Sequence, residues 1–250
     1  MTEPTIVAHR GLSALYPENT SLALEQAILC GAKAVEFDVQ LTADQIPVLF
    51  HDKGMRRLCG RIGNLLGKCW QDLQKFSAHY PRRFGRCYAG TAILSLESCV
   101  QLLLNYPDVL VCVELKTESV DRFGVGNVVD RVLRLTEPLA GRVQYLSFSY
   151  EVIEYLQKFG VRQTNWVLKQ CNDTVYEAAQ TLAPAVLACS LKRLPQVLWP
   201  GPWDWMVYET QDPLEVKRLF DFGVRYVESD NVQLLAKALP EYFNVDQRNG

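Results

Sequence analysis

Several protein classes are missing from this sequence at first inspection. No apolar run approaches the ~20 residues needed to cross a bilayer. The opening Met1-Thr2-Glu3-Pro4 has neither the basic nor the apolar region of a signal peptide. None of the eight cysteines (30, 59, 69, 87, 99, 112, 171 and 189) forms a C-x-x-C pair, and their spacing matches no zinc pattern. Several lie inside apolar runs, as in Val111-Cys112-Val113, where Cys acts as a small hydrophobe. These features predict a cytoplasmic protein with mostly free thiols and no transmembrane segment. Excess charge of one sign is lacking too: 26 Lys and Arg against 28 Asp and Glu leave −2 over 250 residues. That excludes the long-range positive field of a nucleic-acid binder, though not a local basic pocket.

What is present is alternation. Short β-rich runs (6–8, 34–39, 110–115, 143–147, 164–168, 185–189, 205–208 and 226–228) are separated by helix-period segments (21–30, 96–105, 128–136, 149–159, 174–182, 214–222 and 232–239). Thr20 and Asp173 are candidate N-caps, and Gly31, Gly160 and Gly223 follow helices as terminating residues do. Eight strands alternating with helices predict an α/β fold, a (β/α)8 TIM barrel, as one domain over residues 1–250. A doubly wound open sheet is the alternative, weakened because no G-x-G-x-x-G follows the first strand. A further strand, Pro47–His51, comes too soon after 34–39 for a parallel crossover and predicts an antiparallel hairpin. The segment of about 52–90, rich in glycine with scattered arginines and aromatics, reads as a small insertion after that hairpin.

Histidine is scarce, and two of the three residues close strand candidates. His9 ends Thr5-Ile6-Val7-Ala8, and His51 ends Pro47-Val48-Leu49-Phe50. At the C-terminal mouth of a barrel they are candidate proton carriers; the alternative for each is a core histidine bonded to a backbone carbonyl. Glu36-Phe37-Asp38 places two acids on one face of a strand, where they repel unless a cation neutralises them. Glu114 stands in a second apolar strand, and three such carboxylates suit one divalent cation, Mg²⁺, Ca²⁺ or Mn²⁺. A plain ion pair of Glu114 with Lys116 is the competing reading. Arg10 and Lys116 are candidate phosphate contacts. The absence of G-x-S-x-G argues against an α/β-hydrolase. His79 reads as a surface histidine, and Arg82-Arg83-Phe84-Gly85-Arg86 as a solvated face or a contact for anionic head groups.

Taken in order, His9-Arg10-Gly11, Pro17-Glu18-Asn19-Thr20, Glu36-Phe37-Asp38-Val39, Thr42 with Asp44, His51-Asp52, Glu114-Leu115-Lys116 and Ser147-Phe148 resemble the glycerophosphodiester phosphodiesterase family, a phospholipase C-like group of TIM-barrel phosphodiesterases. The resemblance is dense over residues 6–52 and loose beyond 148. It implies Glu36, Asp38 and Glu114 as metal ligands, His9 and His51 as general acid and base, and Arg10 and Lys116 on the phosphate. It also implies hydrolysis of a small-molecule glycerophosphodiester to sn-glycerol 3-phosphate and an alcohol through a cyclic phosphate, a step in lipid and glycerol metabolism. The family's seventh-strand W-T-V-N, whose Trp lies beside the glycerol, is replaced by Met206-Val207-Tyr208-Glu209-Thr210, with Val207 expected at the Trp position. Trp203, Trp205 or Tyr208 could supply a replacement wall, with buried core packing the favoured role for any one of them, and Glu209 is expected to be a solvated loop acid, with a polar contact at the mouth as its alternative. Two alternatives stand beside this reading: a lysophospholipase D-like phosphodiesterase, and a catalytically silent barrel that binds a phosphoester.

Overall fold

A computed structural model describes residues 3–244. Met1 and Thr2, on which part of the signal-peptide reading rests, and residues 245–250 of the expected domain lie outside the described residues. The strands are β1 (Thr5–Ala8), β2 (Ala34–Leu41), β3 (Pro47–Leu49), β4 (Leu110–Leu115), β5 (Val143–Ser147), β6 (Thr164–Val167), β7 (Val186–Ser190), β8 (Asp204–Tyr208) and β9 (Tyr226–Ser229). All but β3 are parallel, in the order β1-β9-β8-β7-β6-β5-β4-β2, and β1 pairs with β2 to close the ring. This is the (β/α)8 barrel, and the open sheet is excluded by that closing pair. The third strand joins antiparallel to β2 with Val39 opposite Leu49 and Leu41 opposite Pro47. The five residues between them cannot make a parallel crossover; Thr42 Oγ1 instead accepts from Ile46 N at 2.9 Å to close a tight turn.

Alternation along the strands makes two separate apolar layers. On β2, Val35, Phe37, Val39 and Leu41 face outward into the shell between barrel and helices. Ala34 faces inward with Val7, Cys112, Leu146, Val167, Ala188 and Met206, which fill the barrel. Glu36, Asp38 and Gln40 share that inward face and are fully buried.

The helices are α1 (Ser21–Leu29), α2 (Arg56–Cys59), α3 (Trp70–Leu73), α4 (Pro81–Phe84), α5 (Leu96–Leu103), α6 (Thr117–Phe123), α7 (Val125–Thr136), α8 (Tyr150–Lys158), α9 (Asp173–Leu182), α10 (Pro213–Asp221) and α11 (Val232–Ala238). Thr20 caps α1 as expected, its hydroxyl accepting from Ala23 N at 3.2 Å. On α9 the cap is Asn172 rather than Asp173: Asn172 has the extended backbone and accepts from Val175 N at 3.0 Å. Asp173 enters the first turn, where its charge faces the positive end of the helix dipole. The glycines at 31, 160 and 223 take positive φ after their helices, as expected of terminating residues. Sequence periodicity missed α6 and the single turns α2, α3 and α4, which are too short to repeat a pattern.

Residues 52–90 carry α2–α4 around a small core of Met55, Leu58, Leu65, Leu73 and Ala78, packed on Val48 and Phe50 at the hairpin. This insertion rests on the β1–α1 loop, where Arg83 Nη2 donates to Ala14 O and Tyr88 Oη to Leu15 O, both at 2.8 Å. The eight cysteines are free thiols. Among the described residues no helix is long and apolar enough to cross a membrane.

Candidate active site

At the C-terminal end of the barrel the inward residues change from apolar to charged. Register places Asp38 beside Glu114 on adjacent strands, and one oxygen each of Glu36, Asp38 and Glu114 lies within 4.8 Å of the others. All three expected carboxylates therefore converge. The expected Lys116–Glu114 ion pair is also present, with Nζ 2.8 Å from Glu114 Oε1. The pair does not compete with clustering, because the same ammonium lies 3.3 Å from Asp38 Oδ1.

The β1–α1 loop brings the remaining charge. Arg10 has φ of 55°, a left-handed conformation uncommon outside glycine and frequent where the backbone is held for function. Its amide donates to Glu36 Oε2 at 3.0 Å, and its Nε sits 3.0 Å from Asp38 Oδ2. Gly11 is required next, since a Cβ there would sit 2.4 Å from the Ala23 carbonyl carbon. Asn19, also at positive φ, clasps Asp38 twice: Nδ2 donates to Oδ2 at 2.8 Å, and Oδ1 accepts from the Asp38 amide at 3.1 Å.

Burial raises the Asp38 pKa, but Arg10, Lys116, His51 and Asn19 outweigh it and hold the group ionised, below the ordinary value. Burial pushes Glu36 the other way, reinforced by the Asp38 charge, so Glu36 is held well above the ordinary carboxylate range. Glu36 Oε1 is buried without a hydrogen-bond partner, and Asp38 Oδ1 has only the Lys116 ammonium, 3.3 Å away. Oxygens buried without donors are costly unless a cation takes them. With Glu114 at the exposed side they make a hard, all-oxygen donor set that fits a divalent cation of the Mg²⁺, Ca²⁺ or Mn²⁺ kind.

The two histidines stand on either side of this cluster and are both held at Nδ1. His9 Nδ1 lies 2.8 Å from Asp230 Oδ1 and 2.7 Å from Glu209 Oε2, while Nε2 is 4.0 Å from Glu36. Burial and Arg10 disfavour its charge, yet Asp230, Glu209 and Glu36 prevail and lift its pKa well above 6.5. His51 Nδ1 lies 2.8 Å from Asp52 Oδ1, and Arg57 of the insertion binds both Asp52 and Glu18. Neither histidine is a core residue satisfied by a backbone carbonyl: both line the cavity and both contact carboxylates.

Sequence reasoning missed Asp230, Asn19, Glu18 and Asp52 as parts of the site. Glu209 follows β8 in an exposed loop, as expected, yet its carboxylate lies 2.7 Å from His9 Nδ1, so it also makes the polar contact at the mouth that was its alternative. For Glu18 and Asn19 the only available signal was Pro17-Glu18-Asn19-Thr20 itself.

His9, Arg10, His51, Glu114 and Lys116 line one wall of a cavity of about 220 Å³; Leu146, Phe148, Val167, Ala188, Met206 and Tyr208 line the other. The expectation for Val207 is corrected here. Its neighbours Met206 and Tyr208 point into the barrel, so strand alternation turns Val207 outward into the helix layer. Tyr208 is the aromatic side chain of this strand that reaches the cavity, edge-on to Phe148 at 6.5 Å between centroids. Trp203 and Trp205 pack outside the barrel and supply no wall. His79 stays in the insertion, bonded to Ser77 O at 3.1 Å.

Beneath Tyr208, Glu228 of β9 reaches the cavity while almost wholly buried. Burial, with help from Glu114, lifts its pKa to about 7 against the pull of His9 and Arg10.

Residues 9–193 match a family model described as the glycerophosphoryl diester phosphodiesterase family. A glycerophosphodiester phosphodiesterase of Caldanaerobacter subterraneus subsp. tengcongensis is 30% identical over 166 residues, 66% of this chain and 67% of that protein. An uncharacterized Bacillus subtilis protein, YqiK, is 26% identical over 231 residues, 87% of this chain and 91% of that protein. Among solved structures, a phosphodiesterase of Oleispira antarctica in complex with the product sn-glycerol-3-phosphate superposes with a TM-score of 0.83 at 21% identity, covering 95% of this chain and 97% of that one.

Proposed function

This chain belongs to the glycerophosphoryl diester phosphodiesterase family and is a phosphoric diester hydrolase of that kind; from that premise we propose that it hydrolyses glycerophosphodiesters to sn-glycerol 3-phosphate and an alcohol, with a divalent cation and two histidines as its working groups. The observation that carries this reading is the convergence of the buried Glu36 and Asp38 on Glu114, which lines a cavity together with His9, His51, Arg10 and Lys116. The three carboxylates would hold the cation, which when bound supplies charge neutralisation for the phosphoryl oxygens.

Arg10 and Lys116 bind the phosphate from the same side, each already positioned by Asp38. One imidazole takes the proton of the glycerol 2-hydroxyl as that oxygen attacks phosphorus; the other donates a proton to the departing alcohol oxygen. The cyclic phosphate so formed is opened by water with the two roles exchanged. Because Nδ1 of each ring is committed to a carboxylate, Nε2 is the atom left to face the substrate. The apolar wall with Tyr208 and Phe148 receives the glycerol carbons and keeps water from them.

A volume of 220 Å³ lies below the roughly 300–1,000 Å³ of a drug-sized ligand site and suits a glycerophosphate rather than an acyl chain. That size favours glycerophosphodiesters over lysophospholipids. Retention of both histidines and all three acids disfavours a silent binding barrel. Free thiols fit a reducing compartment, and we assign the protein to the cytoplasm.

The test is release of sn-glycerol 3-phosphate from glycerophosphocholine and glycerophosphoethanolamine with Mg²⁺, Ca²⁺ or Mn²⁺, against an EDTA control. Product that appears with one ion and vanishes with EDTA is the expected result. Absence of product with every ion would overturn the proposal.

A further inference from the structure

Charge is distributed very unevenly in this protein. The insertion, residues 52–90, carries nine Lys and Arg against two Asp, a net +7, whereas the rest of the chain carries −9. Among the described residues only two of those nine cations have a carboxylate partner: Arg57, bound to Glu18 and Asp52, and Lys75, bound to Asp72. Lys53, Arg56, Arg61, Arg82, Arg83 and Arg86 are all exposed.

These side chains come from one packed unit. The turns α2 and α4 touch, with Tyr80 N donating to Leu58 O at 2.8 Å, and a Cβ on Gly60 would sit 2.9 Å from Pro81 Cγ. Arg56 and Arg61 therefore lie beside the Arg82–Arg86 stretch. Between Gly60 and Gly63, both at positive φ, Arg61 and Ile62 project from a narrow loop, and Ile62 is 95% exposed. A second exposed aliphatic, Leu15, sits where Tyr88 meets the β1–α1 loop. That loop rims the cavity through Arg10, so the basic surface borders the mouth.

We propose that the insertion is a docking surface for an anionic lipid bilayer, with Ile62 entering the headgroup boundary and the arginines meeting lipid phosphates and carboxylates. Charge complementarity is the first argument: a cluster of this size matches the negative cytoplasmic leaflet, where each Lys or Arg strengthens binding about fivefold. The aliphatic tip is the second. An isoleucine held out in water gains nothing against a nucleic-acid backbone but gains apolar burial in a bilayer. Docking in this way brings the mouth to the surface whose lipids, once deacylated, are glycerophosphodiesters.

This proposal does not depend on the one above, because it is read by binding and not by turnover. The full-length chain is sedimented with phosphatidylcholine vesicles and with phosphatidylcholine vesicles containing phosphatidylserine. Binding is expected only to the second and should be lost as salt rises from about 0.1 M to about 1 M, which shortens the Debye length from about 10 Å to about 3 Å. The variant Arg61→Gln/Arg82→Gln/Arg86→Gln should bind the anionic vesicles about 10²-fold more weakly. It should keep the wild-type melting temperature and turnover, since none of the three side chains lines the cavity. Ile62→Ser should weaken vesicle binding while leaving binding to a soluble polyanion such as heparin unchanged. No sedimentation with anionic vesicles at low salt, or a triple variant that binds as well as wild type, would overturn the proposal. So would duplex DNA or RNA binding that matches vesicle binding with no effect of Ile62→Ser, which would make the surface a nucleic-acid site.

Discussion

Strands β1, β2, β4 and β9 send His9, Glu36, Asp38, Glu114 and Glu228 toward the cavity, whereas β5, β6, β7 and β8 send Leu146, Val167, Ala188 and Met206. The two halves have the same backbone, the same pairing and the same alternation, yet they are held by different forces. The apolar half is held chiefly by burial, each Val, Leu or Met contributing about 1.5–3 kcal/mol, with a deeper neutral pair in which Asn165 Nδ2 donates to Gln144 Oε1 at 2.8 Å. The charged half is held only by compensation. Asp38 is surrounded by Arg10, Lys116 and Asn19, and two of those three groups come from a loop that sits at positive φ. Two left-handed residues, Arg10 and Asn19, thus hold the charged side of the barrel in place, while the other side supplies shape.

That contrast can be broken most severely at the charged wall. His9→Ala and His51→Ala should each lower kcat by about 10²–10⁴-fold with little change in melting temperature; a loss of folding without a specific rate defect would return these residues to the core. Glu36→Gln or Asp38→Asn should reduce activity about 10²–10³-fold and weaken cation binding in parallel. Titration calorimetry with Mg²⁺, Ca²⁺ or Mn²⁺ reads the second effect, and a variant that binds the ion as wild type would remove its residue from the ligand set. On the apolar wall the expected change is smaller and of another kind: Tyr208→Ala should raise KM about tenfold and leave kcat nearly unchanged, whereas Val207→Ala should act on stability alone. A kcat defect in Tyr208→Ala would place that hydroxyl in the chemistry.

The smallest effect concerns Glu228, the charged residue nearest the apolar half. Its carboxyl is held at about 7 against an ordinary 4.5. A raised acid binds its proton more tightly when folded, so stability is undiminished below about pH 4.5, falls as pH rises, and is fully reduced above about pH 7. Measured with EDTA, Glu228→Gln should therefore melt higher than wild type at pH 8, by roughly 5–10 °C for a penalty on the order of 2–3 kcal/mol. At pH 4.5 the two should melt together. Equal melting at both pH values would show that Glu228 finds a partner in solution.

The legible parts of this protein were those written in local pattern. Apolar runs of strand length marked eight barrel strands, and the period of two put Glu36 and Asp38 on one face before any neighbour was known. The hairpin followed from a connector too short to cross over. Phase was harder: Val207 was expected in the cavity because a run of similar residues says nothing of which alternate set turns inward. The short turns of the insertion had no repeat to betray them, and its charge was visible only as a composition until α2 and α4 were seen in contact.

The sequence by itself determined the strand and helix succession, the antiparallel hairpin and the identity of seven ionisable residues that the fold brings together at the site. Each of these depends on spacing within a few residues, which backbone geometry translates directly into a face or an end. Only the tertiary structure decided that Asp230 and Glu209 hold His9, that Asn19 clasps Asp38, that Arg57 of the insertion reaches Glu18, and that Tyr208 and not Val207 forms the wall. The Asp230–His9 contact joins residues 221 positions apart, brought together when β9 pairs with β1 and closes the barrel, an event to which no local pattern refers.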